Sequence, residues 1–190
     1  MIAGLLPGLA GDLGVQVTTA GQLVTVFALF YAFGSPLLAV ITVGVERKRL
    51  LTWSIAGFLL ANLIAASATS FIMLMGARVL LGLMAGLFTP SALGFAAAFA
   101  APEKRGRALA IVVGGISTAM ALGAPLGTWV GTLLGWRATF LGVACLAAIA
   151  LLGIAWRLPR QAAHGGATLH QRLRVIATPG VARALLVTML

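Results

Sequence analysis

One arginine, Arg78, falls inside a long uncharged stretch and is the first candidate for chemistry in this chain. The 190 residues carry 13 basic and 3 acidic side chains, and the other charges cluster in short segments between apolar runs. An arginine inside a membrane-spanning helix costs about 2.5–3.5 kcal/mol on insertion scales, which makes it a functional candidate by default. The alternative is that Arg78 snorkels to the interface and only anchors its helix.

Small residues recur every four positions after Arg78. Because this spacing places side chains on one helical ridge, we expect the row to face protein or a cavity rather than lipid. The row consists of Gly82, Gly86, Pro90 and Gly94. Hydrogen-bonding side chains in neighbouring apolar stretches are further cavity candidates: Gln22, Asn62, Thr89 and Ser117.

A second small-residue row lies further along the chain. It consists of Gly115, Ala119, Gly123, Gly127, Gly131 and Gly135. Pro125 lies within this row, removes one helical hydrogen bond and predicts a bend. Such a row lets the backbones of neighbouring helices approach closely in lipid. The alternative to a functional role is that the row serves static packing only.

The apolar stretches contain no acidic or histidine side chains of the kind that catalysis or metal binding would need. The three acidic residues, Asp12, Glu46 and Glu103, lie in or beside predicted loops, and His164 and His170 lie near the carboxyl end. A membrane hydrolase or metal enzyme needs such groups clustered at its active site, so we expect no enzyme, metal or cofactor. No phosphate-binding loop is present, so the sequence gives no support for ATP as an energy source.

Composition identifies the setting of these residues. The chain is 61% hydrophobic and 8% charged, with a mean hydropathy of +1.10, whereas a soluble domain carries roughly 25% charged residues. The net charge of +10 comes from clusters between apolar runs, not from a basic face that could follow nucleic acid. The single Cys145 lies in an apolar run and is interpreted as a small hydrophobic residue. We therefore predict an all-α polytopic membrane protein in contact with the lipid bilayer.

The uncharged runs predict five spans, each about long enough to cross the bilayer once. The predicted helices cover approximately 19–43, 50–68, 71–99, 108–134 and 137–156. The apolar segments at the two ends, before Pro7 and after Pro179, are interpreted as cut helices. Residues 1–156 thus form a transmembrane bundle, 157–178 a cytoplasmic linker and 179–190 the start of a truncated seventh helix.

Basic clusters follow the first, third and fifth predicted spans, so they share one side of the membrane. By the positive-inside rule this side is cytoplasmic. Arginine outnumbers lysine, which suggests a GC-rich bacterial source. We therefore expect a multi-pass protein of the plasma membrane, in a bacterium the inner membrane.

Several stretches resemble the N-terminal half of major facilitator superfamily transporters, in the efflux branch related to arabinose efflux permeases. The stretch Glu46-Arg47-Lys48-Arg49 resembles the basic signature of the family. The family usually has Asp where this chain has Glu46 and Gly where it has Val43, and Val43 is expected to tighten the packing of the gate. An arginine signature is similar to Arg78-Val79-Leu80-Leu81-Gly82. The most specific match is Gly123-Ala124-Pro125-Leu126-Gly127, followed by Gly135-Trp136-Arg137.

The resemblance implies a partial six-helix bundle with helices two to six complete and stubs of helices one and seven. It implies that Arg78 faces a cavity and takes part in substrate or proton coupling. It also implies that Gly123, Pro125, Gly127 and Gly131 form an antiporter-type bend. Glu46, Arg47 and Arg49 would belong to a cytoplasmic gate.

Family members have twelve helices in two halves, so we expect a fragment of a proton-coupled efflux antiporter of drugs, sugars or nucleosides. Such a fragment would need the missing C-terminal half or a second chain, and we expect that it does not transport alone. Two other hypotheses stay open: a non-transporting scaffold that binds partner helices through small residues, and a membrane enzyme, which the missing catalytic groups disfavour.

Overall fold

The computed structural model describes residues 2–42 and 44–158, and every regular element in this part of the chain is helical. After a 3-10 helix, Ile2–Leu5, come α1 (Leu6–Leu13), α2 (Val17–Ile41), α3 (Arg47–Ala66), α4 (Phe71–Phe99), α5 (Arg105–Leu134) and α6 (Trp136–Arg157). A second 3-10 helix, Pro102–Lys104, leads into α5. Five helices are long and apolar enough to cross a membrane. The predicted all-α polytopic fold class is confirmed.

The ends of the helices differ from the charge-based prediction by up to three residues. Helices α3 and α5 begin at Arg47 and Arg105, because basic side chains are good helix formers and a helix continues past the hydrocarbon core. Helix α2 ends at Ile41, and the turn after it contains Gly44 with a φ of 85°. Charge marks the limit of the apolar core better than it marks the limit of a helix.

Pro7 does not end the first helix, contrary to the prediction. It lies in the first turn of α1, where a backbone N–H has no partner within the helix and proline is tolerated. Helix α1 continues to Leu13 and ends at Gly14, which has a left-handed φ of 63°. Asp12, expected in or beside a loop, lies in the last turn of α1, next to the connection 14–16.

We call the end of the bundle with the connections 14–16, 67–70 and Gly135 the outer end, and the end with 42–46 and 100–104 the inner end. Helix α4 packs against α2 and α3, and α6 packs against α3. A Cβ added at Gly82 would lie 2.7 Å from the Phe27 carbonyl oxygen, and one at Gly86 would lie 3.1 Å from that of Tyr31. Small residues on α4 thus let its backbone approach that of α2 closely.

A buried apolar cluster fills the outer half of the bundle. It joins residues from α1, α2, α3, α4 and α6, including Leu9, Leu23, Leu74, Trp136 and Phe140. In contrast, Gly127 is the one buried residue of α5, and many large apolar side chains of α2, α5 and α6 are exposed. Such extensive apolar surface fits contact with lipid or with further helices.

Some predicted segments lie outside the described residues. These are Val43 and the part of the predicted linker and seventh helix beyond Leu158. Arg157, predicted to begin the linker, is the last residue of α6.

Candidate functional site

A cavity of about 330 Å³ lies within the outer half of the bundle, at the level of Arg78. Four helices, α2, α3, α4 and α6, contribute its walls. The lining residues are Phe27, Phe58, Asn62, Arg78, Leu81, Phe140 and Val143. Of the described residues that line it, Arg78 is the only ionisable one, and three phenylalanines contribute aromatic surface.

Arg78 is buried on α4, since its relative exposure is 7%. Its guanidinium carbon lies 5.1 Å from the centroid of the Phe140 ring and 5.9 Å from that of Phe27. Both distances are within the range of cation–π attraction, which contributes about 2 kcal/mol or more when the cation is desolvated. This burial argues against the alternative in which the side chain snorkels to the interface.

Two donors of Arg78 are unsatisfied. Its Nε and Nη2 atoms have no hydrogen-bond partner among the described residues. A buried charge without a hydrogen-bonding counterpart is costly, and such a site gains stability when an acceptor or an anion approaches it. The cavity can therefore hold a compact molecule that presents an acceptor to the guanidinium and an apolar surface to the rings.

Asn62 is the second predicted site residue in this cavity. It is buried on α3, and its Nδ2 atom donates to the Phe58 carbonyl oxygen at 2.8 Å. That bond uses one of two amide protons, while the side-chain oxygen has no hydrogen bond to another described residue. The structure thus brings Arg78 and Asn62 together from separate helices.

The other three predicted cavity residues do not line this cavity. Gln22 and Ser117 are exposed. Thr89 lies in the half of α4 nearer the inner end. Its hydroxyl donates to the Ala85 carbonyl at 3.3 Å and lies 3.5 Å from the Tyr31 hydroxyl. Among the described residues the structure thus brings together Arg78 and Asn62 of the five, and a site role for Gln22, Thr89 and Ser117 stays a prediction.

The small-residue row of α5 is partnered only near the outer end. Gly127 is buried and its carbonyl accepts from Thr139 at 3.0 Å, while a Cβ at Gly131 would collide with Leu5. A Cβ at Gly115 or Gly123 would meet no described atom within 4 Å. The antiporter-type bend stays a prediction, since α5 is one continuous helix across Pro125.

Gly135 does not extend the row of α5, contrary to the prediction. The helix ends at Leu134, and Gly135 adopts a φ of 82° between α5 and α6. A positive φ is accessible to glycine but strained for other residues. Gly135 therefore forms the turn between α5 and α6 and is not part of the small-residue face of α5.

The predicted gate residues lie together at the inner end. Glu46 accepts from Arg49, with the ion pair at 3.3 Å, and Arg47 donates to the Gly94 carbonyl of α4. Arg47, the first residue of α3, thus meets the small-residue row of α4 at Gly94. A gating role for Glu46, Arg47 and Arg49 remains a prediction.

Lys48 is an inner-end residue that the site prediction omitted. Its ammonium donates to the carbonyl oxygens of Leu158 at 2.5 Å and Ala155 at 3.2 Å. These carbonyls belong to the end of α6, where a cation satisfies unpaired acceptors and the helix dipole. Lys48 therefore joins α3 to α6, a contact that the run of basic residues alone does not specify.

A polar network at the outer end was also missed. The Asp12 carboxylate accepts from the Trp136 indole at 2.9 Å and from Arg137 at 3.1 Å, and Arg137 also donates to the Ala68 carbonyl at 3.1 Å. A signal was present in the sequence, because Asp12 and Arg137 are opposite charges predicted on the same side. Among the described residues, no three His, Cys, Asp or Glu side chains are placed to hold a metal ion.

Comparisons with known proteins agree with this architecture. The sequence profile of the Major Facilitator Superfamily matches residues 1–190. The chain is 40% identical to a chloramphenicol resistance protein of Streptomyces lividans, over 98% of this chain and 48% of that protein. It is 32% identical to the inner membrane transport protein YdhP of Escherichia coli, over 98% of this chain and 48% of YdhP.

A purine ribonucleoside efflux pump, NepI of Shigella sonnei, is 29% identical over 93% of this chain and 45% of that pump. The fold and the buried polar site define a polytopic helical membrane protein. The chain belongs to the major facilitator superfamily, whose members are transporters and not enzymes. It spans about half the length of the curated relatives it matches.

Proposed function

We propose that the protein containing this chain is a secondary transporter that exports small molecules by alternating access, with Arg78 in its substrate or coupling cavity. The observation that carries the proposal is a buried arginine in a cavity between four membrane-length helices, with two nitrogen atoms that no described residue accepts from. Intramembrane charges are retained where they bind a substrate or couple an ion, because their burial is costly. The similarity to proteins named for chloramphenicol resistance and purine ribonucleoside efflux supports export.

Proton-coupled antiport is the proposed energy source, and drugs, sugars and nucleosides are the proposed substrate classes. The protein is proposed to lie in a bacterial inner membrane, with its basic inner end on the cytoplasmic side, following the positive-inside rule. The partly unpartnered row of α5 is proposed to receive helices from the rest of the protein or from a second chain.

The test uses cells that express the gene and lack their own efflux pumps. Chloramphenicol and a purine ribonucleoside are loaded separately, and their release is followed with and without a protonophore. We expect at least one of them to be released faster than from cells without the gene, and the protonophore to abolish this difference. Equal release of both from the two kinds of cell would refute the two substrates, and release that resists the protonophore would refute proton coupling.

The role of Arg78 is tested with Arg78→Ala and Arg78→Lys, which respectively remove the charge and keep it without the planar guanidinium. Arg107→Ala, which removes an exposed arginine in the first turn of α5, is the matched control. We expect both Arg78 variants to lose transport at unchanged protein level and the control to retain it. Full transport by Arg78→Ala would contradict the assigned role.

The scaffold hypothesis makes a different prediction. A protein that only binds partner helices would retain its function without a water-accessible cavity. Labelling of Val143→Cys by a water-soluble maleimide, in a Cys145→Ser background, therefore separates the two: labelling supports the transporter, and complete protection supports the scaffold.

A further inference from the structure

Asp12 lies at the outer end of α1 and contacts the first turn of α6. Its Oδ2 atom accepts hydrogen bonds from the Trp136 indole at 2.9 Å and from Arg137 at 3.1 Å. The Arg137 ion pair is largely exposed, with side-chain exposures of 44% and 53%. Trp136 is buried, so its indole N–H depends on this carboxylate for its hydrogen bond. The bond fixes the ring from one edge.

Trp136 in turn contacts Phe140, one turn further along α6. The two ring centroids lie 6.0 Å apart with an interplanar angle of 89°. This edge-to-face arrangement is a preferred geometry of aromatic pairs. Both rings belong to the buried apolar cluster, where close packing leaves few alternative rotamers. The orientation of Trp136 therefore constrains the face that Phe140 presents.

Phe140 presents that face to Arg78. Its ring centroid lies 5.1 Å from the guanidinium carbon, closer than the Phe27 ring at 5.9 Å. Since Nε and Nη2 have no hydrogen-bond partner among the described residues, the aromatic rings are the groups that locate the guanidinium. A shift of Phe140 would thus move Arg78 within the cavity.

We propose that Asp12 is a positioning residue that fixes the Arg78 guanidinium through Trp136 and Phe140. The three contacts form one continuous connection from the outer end of the bundle to the cavity. The proposal rests on the functional role proposed for Arg78, but the connection itself is measurable without transport. The Arg137 ion pair is a secondary support, because exposed pairs contribute little and are screened by salt.

The experiment measures access to the cavity in membranes from cells that express the gene. Val143, which lines the cavity with Arg78 and Phe140, is replaced by cysteine in a Cys145→Ser background. The labelling rate of this Val143→Cys reporter by a water-soluble maleimide is compared before and after Asp12→Ala. We expect about a tenfold increase in rate, which corresponds to about 1.4 kcal/mol.

Companion variants separate positioning from general damage. Trp136→Phe keeps a ring but removes the indole donor, so it should raise the rate as Asp12→Ala does, and the double variant should raise it no further. Asp12→Asn retains an acceptor for the indole and should restore a rate near that of the parent. Glu103→Gln, which changes an exposed residue at the inner end, should leave the rate within twofold.

Several outcomes would overturn the proposal. Unchanged labelling in both Asp12→Ala and Trp136→Phe would show that the outer end does not position the cavity groups. Additive increases in the double variant would show that Asp12 and Trp136 act independently. A transport-competent Arg78→Ala would refute the proposed function of Arg78 while leaving the labelling result intact, so the two failures are distinguishable.

Discussion

The contact between α2 and α4 predicts opposite effects for two Gly→Ala substitutions on the same helix. Gly82 faces α2, and a Cβ there would lie 2.7 Å from the Phe27 carbonyl oxygen and 3.1 Å from both the Phe30 Cβ and the Tyr31 nitrogen. Two of these atoms belong to the backbone and cannot move alone. Gly76 lies two turns earlier on α4, where a Cβ would meet no described atom within 4 Å.

The magnitudes follow from the two environments. An added methyl in a tightly packed contact costs typically about 1–3 kcal/mol, because helices must separate to admit it. Against this, alanine replaces glycine in a helix with a gain of about 0.5–1 kcal/mol from backbone entropy and propensity. The difference between these terms spans about 0–2.5 kcal/mol, and the contact with the Phe27 carbonyl oxygen at 2.7 Å favours the upper part of the cost, so we expect Gly82→Ala to lower the free energy of unfolding by about 1–2.5 kcal/mol. Gly76→Ala should raise it by up to about 1 kcal/mol.

The assay is reversible unfolding of the purified protein in mixed micelles of dodecyl maltoside and sodium dodecyl sulfate, followed by far-ultraviolet circular dichroism. The two variants differ by one methyl group each, so lipid and detergent effects cancel in their comparison. Equal stability of Gly82→Ala and Gly76→Ala would refute the inference that α2 and α4 touch along this ridge. A larger loss for Gly76→Ala would place the contact on the wrong face of α4.

The same unfolding assay tests two further predictions, and hydrogen exchange tests a third. Ser70 accepts from the Met73 N–H at 3.2 Å as the N-cap of α4, so Ser70→Ala should destabilise by about 1 kcal/mol, and an unchanged midpoint would contradict the cap. Thr139 donates to the Gly127 carbonyl at 3.0 Å in a buried contact between α5 and α6, so Thr139→Val should cost about 0.5–1.5 kcal/mol; a stabilised variant would refute this estimate. Lys48→Met removes the ammonium that binds the last carbonyls of α6 and should increase hydrogen exchange at the amides of residues 154–158. Arg49→Met, which changes an exposed neighbour, should not. Equal exchange in both variants would contradict the role of Lys48 at the end of α6.

The sequence predicted the membrane-spanning helices well for a physical reason. A bilayer leaves a helix as the favoured way to satisfy the backbone of a long apolar run, so hydropathy and charge locate the spans. The same reasoning misplaced Pro7, since a proline at the first turn and a proline that ends a helix look alike in sequence. Local charge also could not place the inner ends of α3 and α5, which continue into the basic segments.

The site was predictable only in part. Arg78 could be identified because an isolated charge in an apolar run is expensive, whatever its neighbours. Gln22, Thr89 and Ser117 carry smaller costs and can bond within their own helix or face outward, so polarity alone is a weaker basis for placing them in a cavity. The partners of Arg78 were beyond prediction: Phe27 and Phe140 are ordinary apolar residues until three-dimensional packing brings them to the guanidinium.

The distribution of close contacts also separates two kinds of helix within this chain. Gly82 and Gly86 hold α4 against α2 at backbone distance, while Lys48 and the outer network join α6 to α3 and α1. Contacts of this kind have little room for sliding, because any shift meets backbone atoms or breaks a hydrogen bond to a charged group. Among the described residues, α5 meets no such constraint at Gly115 or Gly123, where an added Cβ would meet no atom within 4 Å. Motion within this part of the protein is therefore expected in α5 first, and Arg78, held between α2 and α6, is expected to move with the rigid group.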